Sequence, residues 1–318
     1  MTCLKYILLS SAGLLLACNN ADVPPESGES TPPPIESEDR LPDRDNKNMT
    51  VIDPDEVIAP GDKNWQSVVF LEMADNSICT GTLVGKDTLL TAAHCVDAQN
   101  PSTPAQLKEI MFQLGGKFHV YECTMTPQYS NTPLDSVKFR GYFDVALCKA
   151  LLPNRLPTDM VYENVDVVSA RTPNTEITIA GYGCTYETDP ATGQQRLILD
   201  SQLRIGTAEI GPEIITDPDR FARDGHFRTK TRRNDQSADA CQGDSGGPVF
   251  NERRGVIAVV SGAGAIPSTQ EHLSRYSDLS HNNNSGFMQN WLNNNPGQQI
   301  CGVNPQVGDI NHQRAKCR

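Results

Sequence analysis

The chain has 318 residues, of which 37% are hydrophobic and 21% charged, with 24 Gly and 22 Pro. That balance fits a β-rich globular protein and argues against a coiled coil, a collagen or a multi-span membrane protein. With 27 Lys and Arg against 39 Asp and Glu the net charge is −12, so attraction to nucleic acid is excluded as the main function, and the expected partners are proteins or peptides.

Lys5 is followed by an apolar run from Tyr6 to Ala17, too short to span a bilayer but long enough for the core of an export signal. The run ends in Leu15-Leu16-Ala17-Cys18, which resembles the lipobox of bacterial lipoproteins, where the cysteine is diacylated and becomes the new N-terminus; an ordinary signal peptide with a nearby cut is the other reading. Residues 1–17 are therefore expected to be removed. Cys18 is expected to carry a lipid anchor to the bacterial cell envelope, at the outer membrane, with plain secretion as the alternative. The presence of ten cysteines agrees with an oxidising compartment. From Asn19 to Thr50 there are six prolines and eight acidic residues but almost nothing large and apolar, so residues 18–50 are expected to form a tether or a removable pro-segment.

From Val51 the sequence changes to short apolar runs broken by Gly, Pro, Asn and Asp. Strands are expected at Ser67–Leu71, Gly81–Val84, Asp87–Thr91, Glu176–Ala180 and Gly255–Val260, each four to six residues long and rich in β-branched types. This rhythm predicts an all-β fold, and the missing alternation with long helical periods argues against a parallel α/β sheet. One helix is expected over Ser285–Asn294, where Phe287, Met288, Trp291 and Leu292 share a face. The Asn-rich stretches Asn282–Asn284 and Asn293–Asn295 read as loop and helix-end material. Residues 51–295 form the expected folded domain and residues 296–318 a C-terminal extension.

Three stretches carry chemistry. In Cys241-Gln-Gly-Asp-Ser-Gly-Gly-Pro248 a serine flanked by glycines fits a tight turn on which backbone N–H groups converge, the geometry an oxyanion hole needs, although the same text also suits an ordinary loop. Thr91-Ala-Ala-His-Cys95 places a histidine on an apolar run. Phe143-Asp-Val-Ala-Leu147 embeds an aspartate among apolar residues, where a charge is costly without a partner.

With these three in the order His, Asp, Ser, the sequence over about residues 51–292 resembles the trypsin-like, chymotrypsin-fold serine endopeptidases. The resemblance implies two antiparallel six-stranded β-barrels with a C-terminal helix and no cofactor or metal. It implies Ser245 as nucleophile, His94 as general base and acid, Asp144 as the group that orients His94, and the N–H groups of Gly243 and Ser245 as the oxyanion hole. It also implies a disulfide between Cys79 and Cys95. The family partner of Cys241 is missing, so Cys184, after Gly181-Tyr-Gly183, is expected to pair with Cys241, with Cys123–Cys148 and Cys301–Cys317 as the remaining bridges. Asp239, six residues before Ser245, falls at the base of the family's primary specificity pocket, which implies cleavage after Arg or Lys. Val260-Ser-Gly-Ala-Gly264 corresponds to the strand that binds the substrate backbone, so Ser261, Gly262 and Ala263 are expected near substrate, with either Ala263 or Gly262 lining the pocket. The family's Trp in that strand is absent. An Ile-Val-Gly-Gly activation segment, whose new amine would pair with Asp244, is also absent; Val51-Ile-Asp53 and Val57-Ile58 are the nearest.

These departures leave two readings, a monomeric endopeptidase acting on proteins or peptides and a protease-fold binding protein with little turnover. An α/β-hydrolase esterase is disfavoured by the chain order. The run Arg220–Arg233, with five Arg and one Lys, reads as a solvated loop, the alternative being a contact site for an acidic partner.

Overall fold

β-Branched and aliphatic runs build two layers of short antiparallel strands. The structure is a computed structural model that describes residues 56–73, 77–97, 109–130, 143–152, 156–188, 191–192, 195–211, 225–232, 237–266 and 271–303. The apolar leader, Cys18, the Pro-rich stretch and Cys317 lie outside the described residues.

A two-residue strand β1 (Glu56–Val57) precedes β2 (Val68–Glu72), β3 (Ile78–Gly85), β4 (Thr88–Thr91), β5 (Glu109–Leu114), β6 (Lys117–Met125) and β7 (Ala146–Ala150). Strands β2 to β7 close into a barrel in the order β2-β3-β4-β7-β6-β5. Alternation sets the inside: Ile110 and Phe112 of β5 and His119, Tyr121 and Cys123 of β6 are buried, whereas Met111 and Phe118 face out. Helix α1 (Ala93–Val96) follows β4, and α2 (Pro127–Ser130) follows β6.

The second layer contains β8 (Glu176–Gly181), a side hairpin of β9 (Thr185–Thr188) with β10 (Gln195–Ile198), then β11 (Arg204–Glu209), β12 (His226–Arg232), β13 (Pro248–Phe250), β14 (Val256–Ile266) and β15 (Glu271–Asp278). Its order is β1-β11-β8-β13-β14-β15-β12. An antiparallel bridge between Ile210 and Thr229, with the Gly211 amide on the Arg228 carbonyl at 2.8 Å, joins β11 to β12. Six strands thus form the second barrel, and β1 is added outside it. Part of the arginine-rich run is therefore strand rather than loop, because Phe227 and Thr229 alternate inward and are buried.

Helix α3 (Asn282–Asn294) begins three residues earlier than the apolar pattern indicates. His281 caps it by accepting the Asn283 amide at 3.2 Å, and buried Asn284 donates Nδ2 to the Asp278 carbonyl at 2.6 Å. These two contacts offset the poor helix propensity of the Asn run. Phe287, Met288, Trp291 and Leu292 pack with Val84, Leu90, Phe250 and Ile300 into one core cluster. After α3 the chain turns back onto the first barrel. Thr88 Oγ1 donates to Gln298 Oε1 at 3.0 Å, the Cys301 amide donates to the Val84 carbonyl at 2.8 Å, and Ile300 and Cys301 are fully buried. A side chain at Gly85 would collide with the Gln299 carbonyl. Among the described residues no helix is long and apolar enough to cross a membrane.

Candidate active site

His94 lies on α1, directly after β4, with its side chain about a third exposed, while Asp144 is buried. Phe143 delivers that aspartate from the left-handed region, φ 54°, and its carbonyl accepts both the Val145 amide at 2.8 Å and Thr126 Oγ1 at 2.6 Å. A bulky residue holds such a conformation only where its surroundings fix it. The Asp144 carboxylate accepts three hydrogen bonds: Oδ1 takes the His94 amide at 2.8 Å, and Oδ2 takes His94 Nδ1–H at 2.6 Å and the Ser261 hydroxyl at 2.7 Å, while the Asp144 amide donates to Ser277 Oγ at 3.1 Å. With Nδ1 carrying the proton, Nε2 is left as the basic nitrogen.

Ser245 sits in the turn between Cys241 and Pro248. Gly243 and Gly246 have φ of 103° and 80°, which disfavours side chains there, and a Cβ at Gly246 would strike Thr91 Oγ1. The turn is fixed to both barrels. Thr80 of β3 donates its amide to the Ser245 carbonyl at 2.8 Å and its hydroxyl to the Gly243 carbonyl at 2.8 Å. The Gly246 amide donates to the Val260 carbonyl at 2.7 Å, and Val260 returns its own amide to Gly247 at 2.9 Å. The amides of Gly243 and Ser245 have no acceptor among the described residues. Cys95 Sγ lies 3.9 Å from His94 Nε2 and 3.5 Å from the Ser245 carbonyl, so the histidine ring and the serine turn share one neighbour.

Cys79 and Cys95 form a disulfide, Cα–Cα 6.2 Å, that ties β3 to α1. Their sulfurs and His94 cluster closely, but joined sulfurs offer no thiolate to a metal. Cys123–Cys148 bridges β6 and β7, and Cys184–Cys241, Cα–Cα 5.5 Å, bridges the Gly181–Cys184 loop to the serine turn. Cys301 is also disulfide-bonded, and its expected partner Cys317 lies outside the described residues.

Asp244 is fully buried and accepts the Gly183 amide at 2.7 Å and the Cys241 amide at 2.8 Å. Burial pushes its carboxyl up from 3.8 to about 7, against the opposite pull of those two amides and of Arg204. Asp239 is also buried and accepts Ser274 Oγ at 2.6 Å, while Ser274 accepts the Ala240 amide at 2.9 Å. Ala263 of β14 lies opposite Ser274 of β15, after a bulge between Val260 and Gly262; Gly262 lies opposite Arg275, and a Cβ on it would meet nothing within 4 Å. Asp239, Ser274 and Ala263 therefore share one locality, and Gly262 faces open space.

Sequence reasoning does not single out Thr80, Ser274, Ser277 or Arg204. Each is an ordinary strand residue whose partner is set only by strand register.

The family model described as Trypsin matches residues 56–281. A protein named Trypsin Tyr p 3.0101, from Tyrophagus putrescentiae, is 25% identical over 211 residues, covering 63% of this chain and 70% of that protein. Hypodermin-B from Hypoderma lineatum is 25% identical over 190 residues, covering 58% and 67%. A trypsin from Phaedon cochleariae is 27% identical over 220 residues, covering 65% and 78%. A model that spans most of the chain, matched to a closed six-stranded barrel and a second sheet, establishes that the chain belongs to the trypsin family of serine proteases.

Proposed function

We propose that the protein is a serine endopeptidase that cleaves after Arg or Lys, with Ser245, His94 and Asp144 as its catalytic residues. The observation that carries this reading is the 2.6 Å contact from His94 Nδ1 to the buried Asp144, beside the turn that bears Ser245. Asp144 fixes the ring and its tautomer, so Nε2 takes the Ser245 proton as Oγ attacks the scissile carbonyl. The N–H groups of Gly243 and Ser245 receive the charge that develops on the carbonyl oxygen. His94 next gives its proton to the departing amine, and a water deprotonated by Nε2 releases the acyl group from Ser245.

Asp239 gives the pocket its preference. Its carboxylate is buried and its charge favours a substrate cation, with Ala263 and Ser274 as adjoining wall. Ser274 occupies part of that base, which favours the slimmer Lys over the planar guanidinium of Arg. Ser261 and Gly262 lie on the strand that receives the substrate backbone.

The reading extends to location and assembly: a monomer, exported and held by a lipid at Cys18. Fatty-acid labelling of the parent, lost in Cys18→Ala, tests the anchor. Reaction with a fluorophosphonate probe, followed by peptide mapping, tests the chemistry. Labelling at Ser245 that Ser245→Ala abolishes supports turnover, and an unlabelled, correctly folded protein would make the fold a binding scaffold.

A further inference from the structure

Gly183 is held at both ends by side chains of opposite charge. Its amide donates to Asp244 Oδ1 at 2.7 Å, and its carbonyl accepts Arg204 Nη1 at 3.1 Å. Both side chains are buried, Arg204 at 4% exposure. Arg204 also donates to the Gln202 carbonyl at 3.3 Å and pairs with Asp200 through Nη2. It reaches Gly183 because β11 places Arg204 directly opposite Gly181. The loop has no slack: a Cβ at Gly181 or at Gly183 would collide with the Asp244 carboxylate. The same loop is sewn to the serine turn by the Cys184 amide on the Gln242 carbonyl at 3.0 Å and by Cys184–Cys241, and to β3 by the Tyr182 amide on Thr80 Oγ1 at 3.0 Å.

A carboxylate this deep is costly unless a countercharge lies near. Among the described residues, the charged and titratable groups that act on Asp244 are Arg204 of β11, with Asp200 behind it, and Tyr276 of β15, with Asp239 beyond it. Arg204 is the cation among them.

We propose that Arg204 is a positioning residue for the reaction: by gripping the Gly183 carbonyl and countering the charge of Asp244, it keeps the turn Cys241–Gly247 in the form that presents the amides of Gly243 and Ser245. This rests on the endopeptidase reading above. The cation lies within the chain, so the Gly183 loop and the turn it adjoins are held in part by a residue of β11.

The test compares the full-length parent with Arg204→Gln, Arg204→Lys and Asp200→Asn from pH 5.5 to 8.5. Two quantities are read: the rate of fluorophosphonate labelling at Ser245, and amide hydrogen exchange over residues 180–186 and 240–247. Arg204→Gln is expected to label about tenfold slower at pH 7, since misplaced oxyanion donors cost rate. Both segments exchange faster, and the deficit narrows as rising pH ionises Asp244. Arg204→Lys restores most of the rate. In Asp200→Asn, whose site is partly exposed, the freed guanidinium moves the acid limb to lower pH. A folded Arg204→Gln with parental rate and exchange, or a Lys variant no better than Gln, overturns the proposal. Should Arg204→Gln fail to fold, an acid limb of Asp200→Asn that stays put or rises overturns it equally. A parent that never labels defeats the endopeptidase reading instead, while exchange in the two segments still reports whether Arg204 holds the loop.

Discussion

Ser261 donates its hydroxyl across 2.7 Å to Oδ2 of Asp144, the same oxygen that holds Nδ1 of His94 at 2.6 Å. The carboxylate is thereby pinned from β14 as well as from α1. Ser261→Ala removes one hydrogen bond to a charged group, worth roughly 1.5 to 3 kcal/mol. Labelling of Ser245 is expected to slow by about tenfold or more, with the melting temperature little changed; an unaltered rate would place the orienting function in the His94 amide contact alone.

Ser245→Ala and His94→Ala are each expected to abolish peptide hydrolysis while leaving the fold intact. If the residues act as one unit, the double variant loses little more than either single change. Additive losses in the measured kcat/KM would mean that the two side chains work independently.

At Asp239 the expected outcome is a preference. Truncating one partner of a desolvated charge pair costs roughly 2 to 5 kcal/mol, so cleavage after Lys or Arg should exceed cleavage after Leu or Phe by about 30-fold or more. Asp239→Ser removes the preference without slowing a small organophosphate. Ser274→Gly clears the pocket base and raises Arg relative to Lys. Peptide-library profiling measures both, and dominant cleavage after acidic or aromatic residues would remove Asp239 from the pocket.

The buried carboxyl of Asp244 makes stability depend on pH. Its native value is raised from 3.8 to about 7. Between those values the native state keeps a proton that the unfolded chain has released, so stability from this group is full below about pH 4 and is lost as pH rises through 7. The size is at most about 4 kcal/mol. Denaturant midpoints for the parent should fall across this interval relative to Asp244→Asn, whose side chain does not titrate; parallel curves would contradict the shift.

The Cys184–Cys241 bridge closes a loop with a sequence separation of 57 residues. Chain-entropy arguments put its contribution at about 4 kcal/mol, with strain and residual structure reducing it. Replacing both cysteines by Ser is expected to lower the midpoint and to speed hydrogen exchange in both segments that it joins.

The strands with β-branched runs are legible because burial on one or both faces leaves a local signature; β2, β4 and β8 fall within a residue or so of their sequence-based bounds. The strand at Val256 runs on to Ile266 because a bulge at Val260 and Gly262 resets its register, which no local pattern encodes. Asn282–Asn284 is helical because of His281 and the Asp278 carbonyl, partners outside any helical periodicity. The three motifs around His94, Asp144 and Ser245 are readable as text. Ser274 against Asp239 and Arg204 against Gly183 are not, since strand pairing alone makes them neighbours. The choice between Gly262 and Ala263 likewise needs the pairing of β14 with β15, which sets Ala263 opposite Ser274.

The seam by which Gln298 and Cys301 clasp the first barrel imposes a timetable. Thr88 waits for a partner 210 residues further along the chain, and Val84 waits for Cys301. A chain that ends after β7 has a barrel whose last seam is still missing. A chain stopped after Pro296 is accordingly expected to be digested rapidly in a pulse of added protease, whereas one continued past Val303 resists. The first barrel is thus closed off by residues that lie beyond α3, so its resistance to digestion is set by the last part of the described chain to be joined to it.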